Sequence, residues 1–272
     1  MRRHVAPLAL VALVLLSGCA GVFGGGSVPD RELNAEPAGG EGYAWNASAD
    51  AHIELTTNAR FRAVYRINRS ARDEIELYRR DGFGGRNPIP VSAVRYRYPN
   101  GTVLTGTELA ARGGGVSRSR DVVTVRFPNE SASTATNGTA KLAFSSGSTP
   151  KRFSLPTFVK GSYEVVLPAD RRVEVPVFGS ARPRDYATER VDGRTHIRWA
   201  DVQSDTVVVR YYLQRDLYIF GGVAAGLLVV GVVGTLYYRR QIRKLREQRE
   251  ELGLDVDTGD DFGDDGPPPG MR

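Results

Sequence analysis

Short stretches in which apolar and polar residues alternate dominate the chain from about residue 43 to residue 213. Within residues 61–67, apolar side chains occupy the odd positions, while Arg62 and Arg66 fall on the opposite side. Residues 94–98 and 123–127 repeat this pattern. A period of two with β-branched and aromatic residues is typical of half-buried β-strands. The sequence therefore predicts roughly a dozen strands across this region.

Turn residues separate these predicted strands. Asp192-Gly193 lies between strands predicted at 187–191 and 195–200, which is a strong signal for a β-hairpin. Further strands are predicted at 163–167, 173–178 and 205–213, and one short helix at 107–112. We therefore expect an all-β fold, either one large β-sandwich or two small ones. If there are two, the Gly- and Ser-rich residues 145–150 place the boundary between halves spanning 43–148 and 149–214.

A different pattern begins at Leu217. Residues 217–238 are uncharged and mostly apolar, and tyrosines lie near both ends. A helix of this length reaches about 33 Å, which is enough to cross the hydrocarbon core of a bilayer. Six Lys or Arg residues follow within 20 positions, whereas three precede within the same distance. The more basic side stays in the cytoplasm, so residues 239–272 are predicted to be cytoplasmic and the β region extracellular.

The N-terminal residues resemble an export signal. Arg2 and Arg3 precede a short apolar run, which ends in Leu16-Ser17-Gly18-Cys19. This order is typical of a signal peptide, here residues 1–18, and its ending resembles a lipobox, in which the cysteine carries a lipid. Cys19 is the one cysteine of the chain and the predicted lipidation site. The Gly-rich residues 19–42 are predicted to form a flexible tether.

The segments near the predicted span carry two further signals. Gly222 and Gly226 have the spacing that lets two helices approach closely, which suggests a homodimer through the span; a generally Gly-rich helix is the alternative. Basic residues that follow the span are expected to contact anionic lipid head groups: Arg239, Arg240, Arg243, Lys244 and Arg246. They begin a predicted basic helix, which either docks a cytoplasmic partner or simply stops transfer. The acidic residues after it are predicted to be a disordered tail.

The predicted extracellular region is rich in glycosylation sequons. Five of the eight asparagines of the chain begin Asn-x-Ser/Thr, namely Asn46, Asn68, Asn100, Asn129 and Asn137. We predict N-glycosylation at these positions. For Asn100 and Asn137, which precede glycine, a simple role in a turn is the alternative.

Known catalytic and ligand-binding patterns are missing from the sequence. His52 and His196 belong to no metal-ligand cluster, and no nucleophile elbow, phosphate-binding loop or dinucleotide fingerprint occurs. His196 is expected to be an outward strand residue. We predict no catalytic residue, no metal and no cofactor, although two carboxylates brought together by the fold remain an alternative. No nucleic-acid recognition module is present.

Outward arginines on the predicted strands form a candidate basic stripe. They are Arg62, Arg66, Arg95, Arg97 and Arg126. Such a stripe would attract an anionic glycan or lipid head group. A solvated sheet face guarded by charge is the alternative.

The C-terminal third resembles a known group of membrane proteins. The segment 210–220, the glycine-rich span, and the motifs at 237–246 and 251–255 are similar to a haloarchaeal family of unknown function. The resemblance implies a lipobox-bearing extracellular domain with one C-terminal span, and it brings no activity.

Three function classes follow. The first is a non-enzymatic cell-surface module that binds envelope glycan, surface-layer protein or a membrane complex. The second is a transmembrane signalling or assembly subunit that acts through residues 239–272. The third is a carboxylate-based enzyme acting on glycans.

Overall fold

The computed structural model describes residues 26–128 and 139–251. Its strands, in chain order, are β1 (Gly26–Ser27), β2 (Ala51–Leu55), β3 (Arg60–Ile67), β4 (Glu74–Arg80), β5 (Arg86–Pro88), β6 (Ser92–Arg97), β7 (Val103–Thr105), β8 (Gly115–Arg118), β9 (Val123–Arg126), β10 (Ala140–Gly147), β11 (Arg152–Pro156), β12 (Gly161–Val166), β13 (Arg171–Arg172), β14 (Ser180–Arg182), β15 (Ala187–Val191), β16 (Arg194–Val202), β17 (Thr206–Arg210) and β18 (Tyr212–Leu213). The helices are α1 (Asp30–Leu33), α2 (Gly106–Ala111) and α3 (Gln214–Glu251). The predicted all-β fold followed by one long C-terminal helix is confirmed.

The largest sheet has eight strands in the order β15-β16-β12-β2-β3-β10-β6-β7. At the centre of the sheet β12 pairs with β2 in parallel, whereas all other neighbouring strands of this sheet are antiparallel. The parallel pair joins residues 51–54 to residues 163–166, so both predicted halves of the β region share one sheet. The chain divides instead after Gln214, where the β domain ends.

One apolar core lies against one face of this sheet, which we call the first face; the opposite side is the second face. A five-stranded sheet (β1-β8-β9-β4-β5) and a three-stranded sheet (β11-β17-β14) contribute to the same core. Phe61 of β3 joins two of these layers, since its ring contacts Phe153 of β11 edge to face at 5.3 Å, while Tyr65 of β3 stacks on Phe144 of β10 at 5.9 Å within the eight-stranded sheet. Edge-to-face and offset rings stabilise such contacts beyond their buried area. The packed sheets therefore form a sandwich.

The predicted boundary at residues 145–150 is wrong. β10 runs through Ser145 and Ser146 as an interior strand of the eight-stranded sheet, and both serines are buried. Ser145 Oγ accepts a hydrogen bond from the backbone N–H of Ala38 at 2.9 Å and lies 3.1 Å from Tyr43 Oη. The small side chain of Ser145 accommodates a covering segment, and the two serines do not mark a linker between domains.

The predicted flexible tether is also wrong for its second part. β1 pairs with β8, and Val28, Leu33 and Ala38 are buried against the domain. Gly106 of α2 allows this packing, because a Cβ there would lie 2.7 Å from the Cβ of Leu33. The first part of the predicted tether, Cys19, the signal segment 1–18 and the tail beyond Glu251 lie outside the described residues.

The local turn predictions differ in outcome. The Asp192-Gly193 hairpin is confirmed, and both residues have positive φ (50° and 75°), as a two-residue type I′ turn requires. The strand predicted at 173–178 is wrong, because Phe178 N–H and Gly179 N–H both bond to Val175 O in a turn. Pro176, which lacks an N–H, suits a turn better than a strand.

Helix α3 contains the predicted span. It runs from Gln214 to Glu251, and it is long and apolar enough to cross a membrane. Its large apolar side chains are exposed in this chain, for example Leu227, Leu228 and Val230. An exposed apolar surface of this length is consistent with anchoring in a membrane.

Candidate functional site

The second face of the eight-stranded sheet carries a cluster of ionisable side chains. In β2, Ala51, Ile53 and Leu55 enter the core, so His52 and Glu54 point to the other face. The same alternation places Glu164 of β12 and both His196 and Arg198 of β16 on that face. We call His52, Glu54, Arg62, Glu164, His196 and Arg198 the polar network.

Strand register brings these side chains together. His52 lies opposite Glu164 in the parallel pair, and Glu164 lies opposite Arg198 in the antiparallel pair. On the other side of β2, Glu54 lies opposite Arg62 of β3. Directly opposed side chains on one face have Cβ atoms about 4.5–5.5 Å apart, which is close enough for ion pairing.

His52 lies at the centre of the polar network. Its Nδ1 is 2.8 Å from Glu164 Oε2, and its Nε2 is 3.2 Å from Glu54 Oε1, while only 7% of its side chain is exposed. An imidazole donates from both nitrogens only as the imidazolium cation. Each ring nitrogen of His52 therefore has a carboxylate oxygen within hydrogen-bonding distance.

Glu164 has three cationic or hydrogen-bonding neighbours. Its Oε1 lies 3.0 Å from His196 Nδ1 and accepts a hydrogen bond from Arg198 Nε at 2.7 Å, in addition to the contact with His52. Burial opposes ionisation of this carboxyl, but the hydrogen bonds from His196, Arg198 and His52 outweigh it and lower the pKa of Glu164 to about 2. Glu164 is therefore a fixed anion at neutral pH.

Arg62 joins the polar network to the N-terminal segment. Its side chain is only 4% exposed; it pairs with Glu54 and with Glu41, and it donates to Ala38 O at 3.1 Å. Burial again opposes ionisation of Glu54, but hydrogen bonds from His52 and Arg62 lower its pKa to about 2. A buried arginine with this many acceptors fixes the position of the segment that supplies them.

That segment, residues 33–47, covers the β3-β10-β6 part of the second face; we call it the strap. Tyr43 Oη donates to Ala93 O at 2.5 Å, and burial raises the pKa of Tyr43 to about 12. Arg95 donates to Leu33 O at 2.9 Å, and Lys141 donates to backbone oxygens near the end of the strap. The strap is held mainly by side chains that reach its backbone carbonyls.

An open cavity of about 390 Å³ adjoins the uncovered part of the polar network. Glu164, Asp185, Arg198 and Trp199 contribute to its wall. A glycoside hydrolase needs one carboxyl with a raised pKa as its general acid. The pKa of Glu164 is lowered instead, and both of its carboxylate oxygens already have hydrogen-bonding partners. Glu164 therefore lacks the raised pKa that the general acid of such an enzyme requires.

Metal binding finds no support in the parts of the chain that the structure describes. Among residues 26–128 and 139–251, no group of three or more His, Cys, Asp or Glu side chains has the geometry to hold an ion. In the polar network both ring nitrogens of His52 and the Nδ1 of His196 lie 2.8–3.2 Å from carboxylate oxygens.

The structure separates the five arginines of the predicted basic stripe. Arg62 is buried in the polar network, Arg66 pairs with Asp50 at 3.6 Å, and Arg95 bonds to the strap. Arg97 lies over the ring of Trp45 at 5.9 Å. Arg126 belongs to a different sheet and pairs with Glu74 there. The expectation of one outward stripe is therefore wrong, because most of these side chains have intramolecular partners.

The remaining predicted site residues differ in their exposure to solvent. Asn46, Asn68 and Asn100 are exposed, whereas Asn129, Asn137 and Cys19 lie outside the described residues. Gly222 and Gly226 are exposed on α3, and a Cβ at either would meet nothing within 4 Å. The basic positions from Arg239 to Arg246 are exposed on the same helix. His196, expected to point outward, is 17% exposed and contacts Glu164.

The sequence contained a signal for the polar network that pattern analysis missed. In β2 and β16 a charged or imidazole residue occurs at every second position between strongly apolar residues, as in His52-Ile53-Glu54 and His196-Ile197-Arg198. Such alternation indicates the face of a strand, but it does not reveal which strands become neighbours. Only the pairing of β2 with β12 brings His52 to Glu164.

Comparison with known proteins relates the chain to a protein family. A search of curated proteins finds no significant similarity. A family model described as a family of unknown function, DUF5803, matches residues 47–257, which include the whole polar network and α3. Because the match covers well over half of the sequence, the chain belongs to this family of unknown function.

Proposed function

We propose that the chain is a membrane-anchored cell-surface protein whose β domain is a non-enzymatic binding or scaffolding module of the envelope. The observation that carries the proposal is α3, whose apolar residues are exposed and which begins directly after β18. With the basic residues 239–249 in the cytoplasm, the β domain lies outside the cell. The proposal also includes a haloarchaeal cell envelope and a lipobox that ends at Cys19. A lipid on Cys19 is then a second membrane anchor.

The polar network supports a scaffolding role. Its ionised carboxylates are occupied by histidine and arginine side chains of the same domain, and it connects four strands with the strap. Such a network stabilises one arrangement of the sheet. The exposed Asn46, Asn68 and Asn100 suit glycosylation of an external surface.

The topology is tested by labelling in intact cells. A short epitope tag after Arg272 and a second tag in the Gly82-Phe83-Gly84 loop, which is exposed, are probed before and after permeabilisation. We expect the loop tag to react at once and the C-terminal tag to react only after permeabilisation. The reverse pattern would refute the orientation. The Cys19→Ala variant should stay in the membrane fraction because α3 still anchors it.

A cytoplasmic docking role is a second candidate, and the extent of α3 favours it. The helix continues from Arg239 to Glu251, well past the predicted span. Deletion of residues 239–272 distinguishes the two candidates in cells of the source organism. If the deletion abolishes the phenotype while the β domain still reaches the surface, signalling or assembly through this segment is supported, and an intact phenotype supports the external module.

A further inference from the structure

An arginine-lined cavity of about 250 Å³ lies away from the polar network, beside the end of β4 and the outer face of the β11-β17 pair. Phe153 and Leu155 of β11 enter the core, so Arg152 and Ser154 point outward into this cavity. Three guanidinium groups and several hydroxyl groups converge there; they come from Arg79, Arg80, Arg152, Ser148, Ser154 and Thr206. We call this the arginine pocket.

Its positive charge is not balanced within the described residues. In residues 26–128 and 139–251, Arg79, Arg80 and Arg152 form no ion pair with a carboxylate. Nearby arginines behave differently, since Arg86 pairs with Glu76 at 2.9 Å and Arg126 contacts Glu74 at 3.7 Å. The two acidic residues of β4, Glu74 and Glu76, therefore have arginine partners that do not line the pocket.

Two features make this imbalance costly. Arg79 donates to Gly147 O, but its Nε is buried without an acceptor among the described atoms, and burial lowers the pKa of its guanidinium. In addition, Arg152 lies directly opposite Arg210 across the β11-β17 pair. Like charges in directly opposed positions destabilise a sheet. A bound anion would relieve both effects.

We propose that the arginine pocket binds a phosphate group, either as the free ion or as the phosphodiester of a lipid head group. Guanidinium groups present their donors in a planar fork that matches the oxygens of phosphate, and hydroxyl groups supply further donors. The exposed Arg80 and Arg152 provide the opening of the pocket, and the half-buried Arg79 provides its inner wall. This inference does not depend on the membrane orientation proposed above.

The test uses the full-length chain in a non-ionic detergent at low ionic strength. Inorganic phosphate and glycerophosphoglycerol, a soluble phosphodiester head group, are titrated separately and followed by calorimetry, with sodium chloride as the ionic-strength control. We expect saturable binding of at least one probe. Tighter binding of the diester assigns the lipid head group, and tighter binding of inorganic phosphate assigns the free ion. Absence of saturable binding with both probes overturns the proposal.

Matched variants locate the site. Arg80→Gln combined with Arg152→Gln should weaken binding by about tenfold or more, because each substitution removes one charge-assisted contact with the phosphate. Both side chains are exposed, so the melting temperature should change little. Arg118→Gln, an exposed position on β8 with no carboxylate partner among the described residues, is the control and should bind like the parent. Equal weakening by the control would show a general charge effect and refute the pocket.

Discussion

Arg62 should be the most sensitive charged residue of the β domain. Replacement by methionine keeps an unbranched apolar stem but removes the cation that pairs with Glu54 and Glu41 and holds Ala38 O. Breaking one partner of a buried ion pair leaves an uncompensated charge and costs about 3–5 kcal/mol. At about 2–4 °C per kcal/mol for a domain of this size, we expect the melting temperature to fall by roughly 6–20 °C.

A neighbouring arginine provides the control. Arg66 lies on the same strand and face but is 41% exposed, and it contacts Asp50 at 3.6 Å. Such an exposed pair contributes about 0–1 kcal/mol, so Arg66→Met should lower the melting temperature by no more than about 4 °C. Both variants are compared as full-length protein in the same detergent by circular dichroism.

A second readout separates loss of the strap from general destabilisation. Because Arg62 holds Ala38 O, brief proteolysis below the melting temperature should cleave residues 33–47 faster in Arg62→Met than in Arg66→Met. Adding Glu54→Gln to Arg62→Met should recover part of the loss, since it removes the orphaned charge. Equal effects of the two single variants on melting and cleavage would contradict the assignment of Arg62 as a buried structural cation.

Three further predictions follow from other contacts. The pKa values of Glu164 and Glu54 are lowered from 4.5 to about 2. The stability that these two carboxylates contribute is therefore complete above about pH 4.5 and is lost as the pH falls towards 2. Glu164→Gln should make the melting temperature depend less on pH between pH 5 and pH 2. Gly106→Ala should cost about 1–3 kcal/mol of unfolding free energy, because the new Cβ meets Leu33, and Leu33→Ala should reduce that cost in a double-mutant cycle. Ala93→Gly should preserve or raise the melting temperature, because Ala93 has a φ of 52° that glycine adopts without strain; a clear loss would show that the Ala93 methyl contributes more by packing.

The sequence predicted the local structure of the β domain better than its assembly. Alternation identified β3, β6 and β9, and Asp192-Gly193 identified a hairpin, because these signals depend on residues close together in the chain. The strap was missed because residues 33–47 have little apolar periodicity. Their order comes from side chains such as Arg95 and Lys141, which bond to their backbone carbonyls from distant strands.

The polar network and the arginine pocket could not be predicted for the same reason. His52 and Glu164 are separated by 112 positions, and each alone resembles an ordinary polar residue on the outer face of a strand. Likewise, Arg79 and Arg152 come from different sheets, and only the packed domain places both in one cavity. The long apolar helix was predictable because its signal is local, strong and continuous.

The parallel pairing of β2 with β12 has a consequence for synthesis. The interior strand β2 has one neighbour close behind it, β3, but its other neighbour is translated more than 100 residues later. Closing such a long loop is slow, and it requires chain that has not yet been made when the first half emerges. We therefore expect a nascent chain arrested before residue 161 to stay protease-sensitive, and the domain to gain resistance only once β12 and β16 are free to join it.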